Sequence, residues 1–123
     1  MILIIILAFI SITTTVIANL LLKNAASSLG AIQISLATLP KLIIQIITDK
    51  WIISGLFILG IAFFTWILLL NKTKLNTMYP TIVSLQIILI TLLSWLLFKE
   101  SVSFFQVIGV VCIIIGIFFI KIS

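Results

Sequence analysis

Charged side chains are scarce in this sequence, and histidine is absent. The 123 residues include seven lysines or arginines, two acidic residues and no histidine. Metal sites in proteins are built mainly from histidine, cysteine and carboxylate side chains, and the sequence contains no cluster of these residues. We therefore expect no metal site and no cofactor. The sequence also lacks an arrangement of nucleophile, base and metal, so we expect no enzymatic activity.

Cysteine and clustered basic residues are also rare. Cys112 is the only cysteine, which excludes an intrachain disulfide. The basic residues are spread singly or in pairs along the chain, whereas nucleic-acid binding needs a basic patch on one folded face. We expect no nucleic-acid partner. The lysines are better interpreted as anchors that contact anionic lipid headgroups.

Long apolar runs lie between the charges. Twenty-two residues precede Lys23, twenty-one separate Lys50 from Lys72, twenty-four separate Lys74 from Lys99, and twenty separate Glu100 from Lys121. A helix crosses a hydrocarbon core of roughly 30 Å with about 20 residues. The sequence predicts an all-α integral membrane protein, a single unit with four transmembrane helices at about 2–22, 51–71, 77–98 and 102–121. The first run lacks the basic start and the short apolar core of a signal peptide, so we interpret it as a true span.

The segment between the first two spans has a different pattern. Residues 24–29 are small and polar, which indicates a connector. Residues 31–48 are apolar overall but have Pro40 and Lys41 near their centre. Polar residues recur there every three or four positions, at Ser35, Thr38, Lys41, Gln45 and Thr48. This stripe favours an amphipathic helix lying in the membrane interface over about 31–48, with a re-entrant crossing as the alternative.

Polar residues inside the first span are spaced by four. The series consists of Ser11, Thr15, Asn19 and Lys23. Residues four apart lie on the same side of a helix, and polar groups in a bilayer face a bundle interior or a wet cavity. We expect this face to point inward, either to bind a substrate or to form hydrogen bonds between helices.

The third span opens with Tyr79 and Pro80, and proline is tolerated in a first helical turn. Ser84, Thr91 and Ser94 then predict a second inward polar face.

The fourth span carries small residues along one side, at Gly109, Cys112 and Gly116. Small residues let another helix approach closely, so we predict a dimer contact there, with packing inside the chain as the alternative. The short Lys99-Glu100 segment predicts that spans three and four form an antiparallel hairpin.

The lysines do not orient the chain. The side holding the N-terminus has three lysines and the α-amine, and the other side has four, at Lys23, Lys41, Lys50 and Lys99. Because cytoplasmic loops usually carry the excess of basic residues, this balance leaves the orientation open. We hypothesise that the chain inserts both ways and pairs as an antiparallel homodimer.

These features together resemble the drug/metabolite transporter superfamily, whose one-unit members are four-span proteins of this length. The resemblance rests on Asn19 with Lys23, the pair Tyr79-Pro80, the run SWLLFKESVS over residues 94–103, and Gly109 with Gly116. It is best from residue 51 to 120 and weak from 24 to 50.

A more distant resemblance is to the small multidrug resistance proteins, which exchange cationic drugs for protons. Their membrane glutamate would fall on Thr15 and their third-span tryptophan on Ile82. A cation binder without a buried carboxylate has nothing to offset the desolvation of its substrate. These departures disfavour that activity.

The chain looks more similar to the EamA-like subunits that flip aminoarabinose carried on undecaprenyl phosphate. Those proteins have a tyrosine-proline pair opening span three, a glutamate in the following turn and a polar residue at the position of Asn19, and this chain has all three. The resemblance implies a flippase subunit in a bacterial or archaeal inner membrane. It would translocate a lipid-linked sugar by alternating access, as an antiparallel homodimer or as a heterodimer with a similar four-span protein.

From this resemblance and the polar pattern, we predict that six residues bind the substrate: Thr15, Asn19, Lys23, Tyr79, Ser84 and Thr91. Lys23 would attract the phosphate or simply anchor its helix end. Two other functions stay open. One is transport of a drug, metabolite or other small amphiphilic substrate, as in the small multidrug resistance family. The other is a non-transporting accessory role beside a membrane partner.

Overall fold

Five helices make up nearly all of the structure, a computed structural model that describes residues 1–29 and 35–122. They are α1 (Ile2–Ser28), α2 (Leu39–Thr48), α3 (Lys50–Lys72), α4 (Leu75–Leu97) and α5 (Phe104–Ile122). The four longer helices are long and apolar enough to cross a membrane. This confirms the predicted class, an all-α membrane protein with a shorter apolar helix between the first and second spans.

Helix α1 is longer than the sequence pattern predicts. It continues to Ser28, so the prediction of a connector over residues 24–29 was wrong for most of that segment. Alanine has the highest helix propensity, and Ala25 is completely buried. The Ser28 hydroxyl donates to the Ala25 carbonyl at 2.7 Å. Local propensity and burial together extend the helix through a segment that is polar in composition.

Helices α1 and α3 form the closest helix pair of the structure. Ala18 of α1 is fully buried, and Gly55 lies opposite on α3. A Cβ atom added at Gly55 would come within 3.0 Å of Leu22 and 3.5 Å of the Ala18 carbonyl oxygen. Small residues at a membrane helix contact let the two backbones approach. Gly55 is therefore the position at which these helices come together.

Helix α4 packs against α1, and α5 packs chiefly against α4. No described residue of α5 is buried. Between α4 and α5 the chain reverses at Lys99, whose φ of 54° lies in the left-handed region. The two helices form the expected hairpin, with α5 at the edge of the bundle.

Pro80 lies inside α4 and not in its first turn as expected, because the helix already begins at Leu75. Proline has no N–H, so the Asn76 carbonyl receives no hydrogen bond from it. The helix therefore lacks one backbone hydrogen bond, the one from residue 80 to Asn76. This gap lies next to Tyr79, which lines the cavity described below.

Helix α2 has ten residues, about 15 Å of helix, which is too short to cross a bilayer. Lys41, Gln45 and Thr48 share one side of it, and the rest of its circumference is apolar. The helix starts at Leu39, later than predicted; residues 35–38 form a turn, and residues 31–34 of the predicted helix lie outside the described residues. Asp49 then caps α3, accepting hydrogen bonds from the backbone N–H groups of Trp51 and Ile52.

Candidate functional site

A cavity of 380 Å³ lies between α1, α3 and α4. Its polar lining comes from Ser11 and Thr15 of α1 and from Tyr79 and Gln86 of α4. The remaining wall is aromatic and aliphatic, contributed by Leu59, Ala62, Phe63, Trp66, Ile82 and Val83. The cavity therefore combines a few hydrogen-bonding groups with a mainly apolar wall, as small-molecule sites commonly do.

The polar groups of this cavity are available to a ligand. Ser11 is only 2% exposed. Within residues 1–29 and 35–122, the structure shows no hydrogen bond from the hydroxyls of Ser11 and Tyr79 or from the Gln86 side chain. Tyr79 is 51% exposed, and no fully buried side-chain oxygen or nitrogen among the described residues lacks a partner, so these groups lie at the cavity surface. These three side chains thus have hydrogen-bonding capacity directed at the cavity that the described chain does not use.

Aromatic rings form one wall of the cavity. The rings of Trp66 and Tyr79 have their centroids 5.8 Å apart at an interplanar angle of 57°. Phe63 lines the same wall one turn before Trp66. An aromatic face beside hydroxyl and amide groups suits a ligand that has both apolar C–H surface and hydroxyl groups.

Among the residues that the structure describes, none that lines the cavity is charged. The two carboxylates of the chain lie elsewhere: Asp49 between α2 and α3, and Glu100 in the turn after α4. Thr15 and Ile82, where the resemblance to the small multidrug resistance proteins would place their glutamate and tryptophan, both line this cavity. With that register, a neutral hydroxyl stands here in place of their carboxylate.

The structure brings together two of the six predicted substrate-binding residues, Thr15 and Tyr79. Asn19 does not line the cavity, and its side-chain amide donates to the Thr15 carbonyl at 2.9 Å. The reason is geometric. Each residue of a helix turns by about 100°, so a four-residue step overshoots a full turn by about 40°. The polar series from Ser11 to Lys23 winds around α1, and only its first two members face the cavity.

Ser84 and Thr91 also lie away from this cavity. Tyr79 and Gln86 are seven residues apart and share one face of α4, whereas Ser84 and Thr91 are rotated from it by roughly 120–140°. Thr91 instead lines a separate, almost wholly apolar cavity of 340 Å³ between α4 and α5.

Sequence reasoning missed Trp66 and Gln86 as cavity residues. The seven-residue spacing from Tyr79 was the available signal for Gln86, since positions i and i+7 share a helix face. No comparable signal marks Trp66, because its place depends on how α3 packs against α4. Ser11 belonged to the predicted polar series but was not named as a binding residue.

Lys23 forms an ion pair with Glu100, with Nζ and Oε1 3.5 Å apart. Both side chains are about half exposed, at 53% and 48%. The left-handed backbone at Lys99 reverses the chain directly before Glu100. The pair therefore links the C-terminal part of α1, at Lys23, to the turn between α4 and α5, at Glu100.

We expect this ion pair to stabilise the bundle only modestly, because both groups are solvent-screened. Lys23→Gln and Glu100→Gln should each lower the free energy of unfolding by less than about 1 kcal/mol. The double variant should cost no more than either single one, because the two substitutions remove the same interaction. Detergent unfolding followed by tryptophan fluorescence measures this, with Lys121→Gln at the opposite end as the control. Fully additive losses would show that the two residues do not interact.

Four membrane-length helices, three of which line a cavity with a few uncharged polar groups, are typical of a small multi-pass membrane transporter. Comparison with known families agrees: the pattern of the EamA-like transporter family matches residues 1–122. The chain belongs to the EamA-like transporter family.

Curated relatives have similar sequences over part of their length. They include probable 4-amino-4-deoxy-L-arabinose-phosphoundecaprenol flippase subunits from three bacteria. The Aeromonas hydrophila protein is 33% identical over 72 residues, 58% of this chain and 62% of the relative. The Serratia proteamaculans protein is 31% identical over 85 residues, 69% of this chain and 73% of the relative. The Pectobacterium atrosepticum protein is 34% identical over 74 residues, 60% of this chain and 65% of the relative. The chain thus spans less than two thirds of the Aeromonas protein. No solved structure matches the chain.

Proposed function

We propose that this protein is a flippase subunit that translocates the headgroup of a lipid-linked sugar through the cavity between α1, α3 and α4. The observation that carries the proposal is the hydroxyl of Ser11, a residue only 2% exposed, which lines an aromatic-walled cavity beside Gln86 and has no partner among the described residues. The names of the similar flippase subunits support the substrate class, a sugar on polyprenyl phosphate.

The position of the cavity suits this role. Ser11 lies nine residues after Ile2, about 14 Å along the helix, which is near the middle of a hydrocarbon core of roughly 30 Å. Transporters commonly bind their substrates near the midplane and expose the site to each side in turn. The headgroup would occupy the cavity while the polyprenyl tail stays in the lipid.

We assign direct headgroup contacts to Ser11, Thr15, Tyr79 and Gln86. Lys23 lies twelve residues beyond Ser11, about 18 Å along α1. That distance is too long for a phosphate joined directly to a sugar held in the cavity. Lys23 would therefore contact the phosphate only while the lipid enters or leaves the cavity. The phosphate would then compete with Glu100 for the Lys23 ammonium group. Asn19, Ser84 and Thr91 do not line this cavity, so their contacts with the substrate stay predictions from the sequence.

We also propose that a second copy of the chain packs on the side of α5 formed by Gly109, Cys112 and Gly116. Cβ atoms added at either glycine would meet nothing within 4 Å. Cys112 is exposed. The balanced lysines favour an antiparallel arrangement of the two copies, as argued from the sequence. A similar four-span protein is the other candidate for this surface.

Reconstitution tests the proposal. We expect purified chain in sealed vesicles to carry a polyprenyl-phosphate sugar from the outer to the inner leaflet, protecting it from impermeant periodate. Protein-free vesicles give the background rate. A rate equal to the background, both alone and with a partner four-span protein, would contradict the proposal and favour an accessory role. Uptake of a soluble cation without movement of glycolipid would favour the small-molecule transporter.

A further inference from the structure

We infer that the sugar headgroup handled by this cavity is uncharged: its ring substituents are hydroxyl or N-acyl groups, and not a free amine. The inference rests on the proposed function and narrows the substrate of the same cavity. It comes from the charges and hydrogen-bonding groups of the cavity wall.

The first step is the location of the acidic groups. A free amino sugar is a cation near neutral pH, and a cation in a membrane interior needs a counter-charge. The chain has two carboxylates. Asp49 is engaged in capping α3, where it accepts from two backbone N–H groups. Glu100 is paired with Lys23 at the α4–α5 turn. Neither lines the cavity.

The aromatic wall does not replace a carboxylate. Trp66 and Tyr79 could attract a cation to their ring faces, but that attraction is much weaker than the loss of water around an ammonium group. Ser11 is 2% exposed and the cavity wall is mainly apolar, so a headgroup beside Ser11 gives up part of its water. An amino sugar would have to lose the proton of its ammonium group before entering the cavity. A sugar with only hydroxyl groups is already neutral.

The polar wall suits neutral groups. The hydroxyls of Ser11, Thr15 and Tyr79 each donate and accept, and the Gln86 amide supplies two donor hydrogens and an acceptor oxygen. Sugar hydroxyls and N-acyl amides likewise both donate and accept. An ammonium group only donates, so it would use only the acceptor atoms of these side chains, and none of them carries the negative charge that would offset its own. The same wall therefore satisfies a neutral headgroup and offers no counter-charge to a charged one.

Three glycolipids with the same polyprenyl phosphate test this inference: one bearing arabinose, one bearing 4-amino-4-deoxyarabinose and one bearing its N-formyl derivative. In vesicles containing the wild-type chain at pH 7, we expect the hydroxyl and N-formyl compounds to move at least about tenfold faster than the amine. This comparison needs no variant.

Gln86→Glu provides an independent test, because glutamate has nearly the shape of glutamine and adds a carboxylate. It should raise the rate of the amine compound relative to arabinose by about tenfold or more. Gln106→Glu, on the exposed start of α5, should leave the ratio unchanged.

The outcomes separate the inference from the proposed function. If the wild-type chain moves the amine compound as fast as arabinose or faster, the inference is overturned and the flippase function stands. If it moves none of the three compounds above the protein-free rate, the proposed function fails and the inference fails with it. The inference would also be overturned if Gln106→Glu changed the ratio of amine to arabinose transport as much as Gln86→Glu does. Such a result would show that the cavity does not set the preference for an uncharged sugar.

Discussion

Replacing Gln86 with leucine is expected to reduce glycolipid transport by at least tenfold, roughly the effect of leaving a polar group of the substrate unpaired in a buried site. Among the described residues, Gln86 has the only side-chain amide that lines the cavity, and this side chain has no partner of its own there. Leucine has a similar volume, so the helix packing should survive. The loss would therefore come from missing hydrogen bonds to the headgroup.

The measurement is the initial rate of leaflet transfer, normalised to the amount of folded chain in the vesicles. Gln106→Leu is the matched control, because Gln106 is exposed on α5 and far along the chain from the cavity. Its transport rate should stay within twofold of wild type, about the effect of a surface substitution. Equal rates for Gln86→Leu and wild type would remove Gln86 from the binding site.

Gly55→Leu should strongly destabilise the folded bundle. A Cβ atom at this position would already lie 3.0 Å from the Leu22 side chain, and a full leucine would push α1 away from α3. Overpacking of a well-packed contact typically costs about 1–3 kcal/mol, and occasionally more. Because α1 and α3 form the closest pair of the bundle, the loss should appear as earlier unfolding in detergent.

The chain supplies a matched control for this substitution as well. Gly60 lies on the same helix, but a Cβ atom there would meet nothing within 4 Å. Gly60→Leu should be neutral or slightly stabilising, since glycine costs about 1 kcal/mol in a helix relative to alanine. Tryptophan fluorescence during titration with a denaturing detergent compares the two variants. Similar unfolding midpoints for both would show that the α1–α3 contact does not depend on Gly55.

Much of the fold follows from the sequence. Apolar runs of twenty or more residues bounded by lysines predict the spans, because charges avoid a hydrocarbon interior. Helix ends were less predictable. The continuation of α1 to Ser28 depends on the burial of Ala25, which composition alone does not indicate. Similarly, the span predicted from about residue 77 begins two residues earlier in the structure, at Leu75, which places Pro80 inside the helix and not in its first turn.

The candidate site was predictable only in part. Thr15 and Tyr79, predicted to bind the substrate from a polar pattern and from family resemblance, both line the cavity. Asn19 shows the limit of the pattern: it follows Thr15 at the same spacing, yet the turn of the helix carries it away from the cavity. Residue spacing predicts which side chains share a face of one helix. It does not predict which of those faces another helix will pack against.

The sequence by itself determined the membrane environment, the number of spans and the neutral character of their interior, because these depend on which residue types occur and in what order. Only the tertiary structure decided that Ser11, Trp66 and Gln86 share a cavity and that Glu100 pairs with Lys23. Those relations join residues from different helices. They depend on the closeness that Gly55 allows between α1 and α3 and on the rotation of each helix about its axis.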